Sequence, residues 1–215
     1  MDERSTGLVL RFRPLTETSL IVQWLTPDVG RIATVAKGAR RSKSAFRGKI
    51  DLFFRADFSF IRSRRSQLHT LREVSLLDSL PGLRRDLVLL NQMSYATTLI
   101  EQTTESDTPI PEIFNLMIGF ANHVGNHPPQ IAPMLAFEIK LLHALGQEPD
   151  LKDRKLSAKA TELIPNLLEG TWESLAELKA DKPELREIYR FLNGFMQLHL
   201  GKALPGRKNA FPQSD

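Results

Sequence analysis

The chain has 215 residues, 41% of them hydrophobic and 25% charged, with a formal net charge of +4 and no cysteine. That length accommodates one or two domains with a real core. Lack of cysteine excludes disulfides, thiol nucleophiles and thiolate metal sites, and no run approaches the roughly 18 apolar residues needed to span a bilayer. Charge is unevenly placed: residues 1–80 carry 15 Lys/Arg against 8 Asp/Glu, a net of +7, and the remainder nets −3. A basic module joined to a mildly acidic one points to an anionic polymer as partner of the first. The polar start, Met-Asp-Glu-Arg-Ser-Thr, has no apolar signal core after it, so cytoplasmic residence is expected, with no membrane partner.

The first eighty residues read as strands. Leu8, Leu10 and Phe12 alternate with Val9, Arg11 and Arg13, and Pro14 ends the run. Leu20, Val22 and Trp24 share one face of the next segment, which stops at Thr26-Pro27-Asp28; Gly30 opens a third strand through Ile32 and Val35. Phe54, Ala56, Phe58 and Phe60 then alternate with polar residues, and a fifth run covers about 68–77. Five short strands with period-two patterning predict a small barrel or sandwich, of the size of an OB-fold.

From Leu80-Pro81-Gly82 onward the period becomes helical. Leu89, Met93, Ala96 and Ile100 place one helix at about 83–104. A second follows Pro109 and Pro111, and a third carries Met134, Leu135, Leu141, Leu142 and Leu145 before the stop signals Gly146 and Pro149. After a polar interval at about 150–155 come shorter pieces, a last helix near 183–200, and a tail from Gly201 that reads as irregular. The fold class is therefore α+β and multidomain, with residues 1–80 as a five-stranded barrel and residues 81–215 as a helical domain.

The segment 37–49 stands out. Six of its residues are cationic, namely Lys37, Arg40, Arg41, Lys43, Arg47 and Lys49, none is acidic, and most of the others are small. Small residues let a backbone come close and offer N–H and hydroxyl donors, while the cations supply charge, a mixture suited to successive phosphates. The plain alternative is a solvated basic loop. Arg62, Arg64 and Arg65 form a second basic cluster at a strand-to-strand turn. Phe54, Phe58, Phe60 and Trp24 read as core; Phe46, inside the basic segment, suits either stacking on a base or plugging the loop onto the barrel.

Catalytic motifs are scarce. No phosphate-binding Gly-x-x-x-x-Gly-Lys-Ser/Thr loop and no nucleophile elbow is present. His123 and His127 have the spacing of helical metal ligands, but Gly125, Asn126, Pro128 and Pro129 suggest a helix end and a surface loop there. The expectation is a protein that is not an enzyme and holds no cofactor and no metal.

Residues distributed along the chain resemble the bacterial RecO family of recombination mediators. They include Val9-Leu10, Arg13-Pro14, Glu17-Thr18-Ser19-Leu20, Gly30-Arg31, Val35-Ala36-Lys37-Gly38-Ala39-Arg40 and Phe46-x-Gly48. Phe137-Glu138, Leu141-Leu142 and Leu145-Gly146 are similar to the family's central helix, and Leu198, Leu200-Gly201-Lys202 and Leu204 to its closing helix. The resemblance implies an N-terminal OB-fold and a helical domain, and binding of single- and double-stranded DNA with annealing of complementary strands. It also implies partnership with RecR and with the C-terminal tail of single-strand-binding protein in loading recombinase, and nucleoid association. Many relatives carry a four-cysteine zinc motif after the central helix; here Gln147-Glu148-Pro149-Asp150 runs almost directly to Leu156-Ser157, so the zinc subregion is absent. Where some relatives place an arginine pair before the central Phe-Glu, this chain has Leu135-Ala136, leaving Lys140 as a substitute for meeting an acidic tail.

On this reading Lys37, Arg40, Arg41, Lys43, Arg47 and Lys49 grip phosphates, with Arg31, and with Arg11 and Arg13 as neighbours. The competing hypothesis is a protein-interaction scaffold in which the OB-like module docks a partner and nucleic acid is secondary. An RNA-binding OB protein of similar physics is a distant third.

Overall fold

The computed structural model describes residues 2–149, 156–200 and 204–211. Its first part has β1 (Asp2–Pro14), β2 (Leu20–Leu25), β3 (Arg31–Ala36), β4 (Arg55–Ile61) and β5 (Leu68–Asp78), which close a barrel in the order β1-β2-β3-β5-β4. All neighbours are antiparallel except β3 and β5, which pair in parallel. This five-stranded closed barrel is the expected OB-fold.

Alternating burial drives the closure. Ile32, Thr34 and Ala36 of β3 are buried while Arg31, Ala33 and Val35 between them are not, so Val35 lies on the face opposite Ile32. Val22, Trp24, Ala56, Phe58, Phe60, Leu71 and Val74 fill the interior with Val9. Trp24 stacks on Phe58 with ring centroids 4.2 Å apart, and its indole N–H donates to Thr34 Oγ1 at 2.9 Å. With no exposed surface, Trp24 is core and is not available to a base.

The one-face reading of Leu8, Leu10 and Phe12 is corrected by a bulge. Val9 pairs with Trp24 and Phe12 with Val22, so three residues on β1 match two on β2. The extra residue changes the parity along β1: Val9 and Phe12 pair with Trp24 and Val22 of the interior cluster while Leu8 pairs with Leu25, so Leu8 and Phe12 fall on opposite faces, and Phe12, near the strand's end, is 36% exposed. Gly30 answers a tighter constraint. It has φ +71°, and a Cβ there would sit 1.9 Å from the Thr108 carbonyl oxygen. Only glycine lets the β2–β3 turn approach the segment that bridges Arg31 to Ser106.

The chain divides into two compact units, Met1–Leu80 with Glu105–Asn115, and Pro81–Thr104 with Leu116–Asp215. The cut at 80/81 is thus accompanied by an excursion of residues 105–115, which periodicity alone does not reveal. The second unit holds α1 (Leu87–Thr103), α2 (Pro111–Asn126, from Leu116 on), α3 (Ile131–Ala144), α4 (Ala158–Glu169), α5 (Trp172–Ala176), α6 (Lys182–Leu200) and α7 (Arg207–Ala210). Asp86 caps α1 by accepting from Val88 N–H at 2.7 Å. Helix α3 is the centre, buried continuously from Ala132 to Ile139. Among the described residues no helix is long and apolar enough to cross a membrane.

Three expectations change here. The tail is not wholly irregular: α7 brings Arg207, 2% exposed, onto Glu138 of α3, with Nε and Nη2 each 2.7 Å from a carboxylate oxygen. Tyr95 donates to the same carboxylate at 2.5 Å, and the Arg207 guanidinium lies over the Tyr189 ring at 4.0 Å. A buried bidentate pair outweighs the Pro and Gly punctuation around it. Lys140 is not open to an acidic partner in the way expected, because its ammonium donates to the Leu168 and Gly170 carbonyls at the end of α4. His123 lies within α2 and is buried, not in a surface loop; it stacks on His127 at 4.3 Å and faces Trp172. The shortened interval at 150–155, and with it the proposed loss of a zinc subregion, lies outside the described residues.

Burial, with His127 beside it, pushes the His123 imidazole down to about 4. Between that value and the ordinary 6.5 the unfolded chain binds more protons, so stability is present above about pH 6.5 and declines as pH falls toward 4. Thermal melts of the full chain between pH 7.5 and 4.5 should show this loss, up to about 1.4 kcal/mol per pH unit from this group. His123→Gln should give a flatter pH profile; an unchanged profile would remove His123 from the account.

Candidate nucleic-acid interface

The basic segment leaves β3 as a chain of tight turns. Backbone N–H groups of Arg41, Ser44, Arg47 and Lys49 donate to the carbonyls three residues earlier, at 3.0–3.2 Å, and Gly38 and Gly48 take φ of +71° and +72°. These local bonds give the loop a defined shape without secondary structure. Lys37, Arg40, Arg41, Lys43 and Arg47 are exposed and Lys49 is half-buried. Among the described residues none of the six makes an ion pair with a carboxylate. Among the described residues their charge is therefore uncompensated, the condition under which phosphates bind.

A second set of bonds ties the loop to the β1–β2 connection. Arg40 N–H donates to Thr18 O at 3.0 Å, the Arg40 guanidinium donates to Thr16 O at 3.1 Å, and Gly38 N–H reaches Ser19 Oγ at 3.4 Å. Thr16 Oγ1 accepts in turn from the Ser19 N–H at 3.1 Å, folding the connection on itself. The run Glu17-Thr18-Ser19-Leu20 thus acts here through its backbone and one hydroxyl, as the anchor of a cationic loop. Sequence reading marked those residues without finding this job for them.

The structure does not gather every expected cation. Arg13 pairs across Ile21 with Val35, next to where the loop leaves β3, and Arg11 lies one step farther, opposite Gln23. Both are exposed and extend the loop's charge along β1. Arg31 opens β3 while the loop departs after Ala36, so about 16 Å of strand separates them; its backbone carbonyl accepts from Asp107 N–H. In the second cluster, Arg62 is held by Glu3 at 2.9 and 3.0 Å and by Asp107 at 3.2 Å, whereas Arg64 and Arg65 stay exposed at a turn organised by Ser63 Oγ. Phe46 is half-buried, with part of its side chain packed on the barrel core. Exposed Phe12, between Arg11 and Arg13, is an aromatic that the alternation placed in the core.

Arg40 thus both carries charge and holds the loop. Arg40→Ala removes a hydrogen bond of the sort worth about 1 kcal/mol, and limited trypsin digestion at the remaining loop sites should accelerate by roughly fivefold. Lys43→Ala, which touches no anchor, should leave the rate within about twofold; equal rates for the two variants would count against the anchor.

The family described as Recombination protein O N terminal matches residues 1–80, and that described as Recombination protein O C terminal matches 84–154 and 152–208. A DNA repair protein RecO of Rhodopirellula baltica is 33% identical over 143 residues, 66% of this chain and 53% of that one. Its counterpart in Bacillus pumilus is 30% identical over 148 residues, 69% of this chain and 57% of that one. These two alignments therefore span little more than half of the relatives' length. The DNA repair protein RecO of Anaeromyxobacter dehalogenans is 26% identical with 94% of this chain and 93% of its own length aligned. With both halves of the chain matched in order, this protein belongs to the RecO family of DNA repair proteins.

Proposed function

We propose that the protein is a non-enzymatic recombination mediator. It binds single- and double-stranded DNA through the loop 37–49, with Arg11 and Arg13 as an extension, and anneals complementary strands. The observation that carries this reading is the set of six cations with no carboxylate partner among the described residues, displayed on a loop anchored to an OB barrel. Annealing on such a surface needs no fuel. Cations spread over two backbones lower their mutual repulsion, and base pairing supplies the driving force. Contacts of this kind address phosphates, so little sequence preference is expected.

Within the same reading, the protein works with RecR and with the C-terminal tail of single-strand-binding protein to bring recombinase onto coated DNA in the cytoplasm, at the nucleoid. The engagement of Lys140 with the end of α4 means that an acidic tail would meet other cations than that one. Arg31 is set apart by its position at the far end of β3, and the grip is assigned to the six cations of the loop.

The test is fluorescence anisotropy of a labelled single-stranded oligonucleotide across a salt series. Six phosphate contacts give a slope of log affinity against log salt of roughly −4. For Lys37/Arg40/Arg41→Ala the slope should flatten to roughly −2, with affinity down by at least tenfold at moderate salt. A wild-type slope near −1, or a variant that binds as wild type does, would move the reading to the protein-interaction scaffold.

A further inference from the structure

The barrel has a groove of about 900 Å³ lined by β1, β4 and β5 and by Pro27 and Asp28 of the β2–β3 turn. Its wall is completed by Ala45, Phe46 and Lys49, so the loop that begins beside the β1–β2 connection ends at this groove. Phe46, Phe58 and Val74 give the lining an apolar part. The volume is that of a small-molecule site, about 300–1,000 Å³.

The polar lining is net neutral, but its charges differ in availability. Asp28 accepts from Ser5 Oγ and Asp57 from Thr6 Oγ1, each at 2.5 Å, so both carboxylates are already engaged by β1 hydroxyls. Arg4, Lys49 and Arg72 make no ion pair among the described residues. Glu73 is exposed and lies in one cross-strand row with Ser59 and Arg4, two strands from the arginine. A bare run of phosphates does not suit a lining with three carboxylates. A nucleotide does, because its phosphate meets the cations, its π-face meets an aromatic, and its exocyclic amino group finds carboxylate or hydroxyl acceptors.

We infer that this groove is a base-and-phosphate subsite for single-stranded DNA. Phosphates lie against Arg4, Lys49 and Arg72, and a base enters beside Phe46. The inference rests on the mediator reading and extends it: the strand held by the loop continues around the barrel, and at the groove one base is taken out of the stack.

The full chain, an oligodeoxyadenylate of about twenty residues and the same oligonucleotide with one central 2-aminopurine provide the test. Arg4→Gln/Arg72→Gln is compared with Lys37/Arg40/Arg41→Ala and with a distant control, Lys159→Gln. The groove variant should bind about tenfold more weakly, with a salt slope flatter by about 1.4, while its melting temperature and the control's affinity stay at wild-type values. Phe46→Leu, which keeps an apolar plug, should abolish the 2-aminopurine fluorescence change seen on binding. If the loop variant loses binding and the groove variant does not, the subsite is overturned and the mediator reading stands. Affinity loss in the groove variant with an unaltered 2-aminopurine signal in Phe46→Leu also overturns the subsite. A wild-type chain that fails to bind the oligonucleotide overturns both.

Discussion

A single strand holds the first unit together. Residues 2–8 of β1 pair with β4, and residues 8–14 pair with β2, so one continuous segment closes the barrel on both sides. The hand-over is made by the bulge between Val9 and Arg11. A bulge bends and twists a strand, which a barrel of only five strands requires, and it re-aims every side chain beyond it. Here that aims Val9 inward with Trp24 and sends Arg11 and Arg13 outward along the approach to the basic loop. Closure and the placement of the cationic surface thus follow from one local irregularity.

The basic loop illustrates how charge is made usable. Six cations in thirteen residues repel one another, and in an unanchored chain they would spread through many conformations. Successive tight turns, two glycines at positive φ and the bonds from Arg40 and Gly38 to Thr16, Thr18 and Ser19 restrict that spread. Phe46 pins the far part to the barrel core. Much of the ordering cost of gripping a backbone is thereby met in the folded protein rather than at binding. Arg62, by contrast, shows how a cation is withdrawn: Glu3 and Asp107 neutralise it and it becomes a structural tie.

In the helical unit the corresponding organiser is Glu138. A carboxylate with no exposed surface is sustained by Arg207 from α7, in bidentate geometry, and by Tyr95 from α1. Removing one partner would leave a buried charge uncompensated, the costly half of any buried ion pair. The same helix that presents Glu138 inward sends Lys140 to the end of α4, so α3 fixes its neighbours by polar contacts as well as by packing.

The amino-acid sequence by itself determined the two regimes of the chain, strands to about residue 78 and helices beyond. Period-two and helical spacing are properties of neighbours along the chain, and Pro and Gly mark where they stop. It also determined the concentration of cations at 37–49, since composition needs no partner to be read. Tertiary structure decided everything that depends on residues far apart. Leu8 and Phe12 came to lie on opposite faces because a bulge shifted the register between them, and His123 became buried because Trp172 arrived over it from another helix. Arg207 became the keystone of the tail because Glu138 waited some seventy residues upstream. Which cations are free, and which are already engaged by a carboxylate or a carbonyl, is a question of distance in space, and only the folded chain answers it.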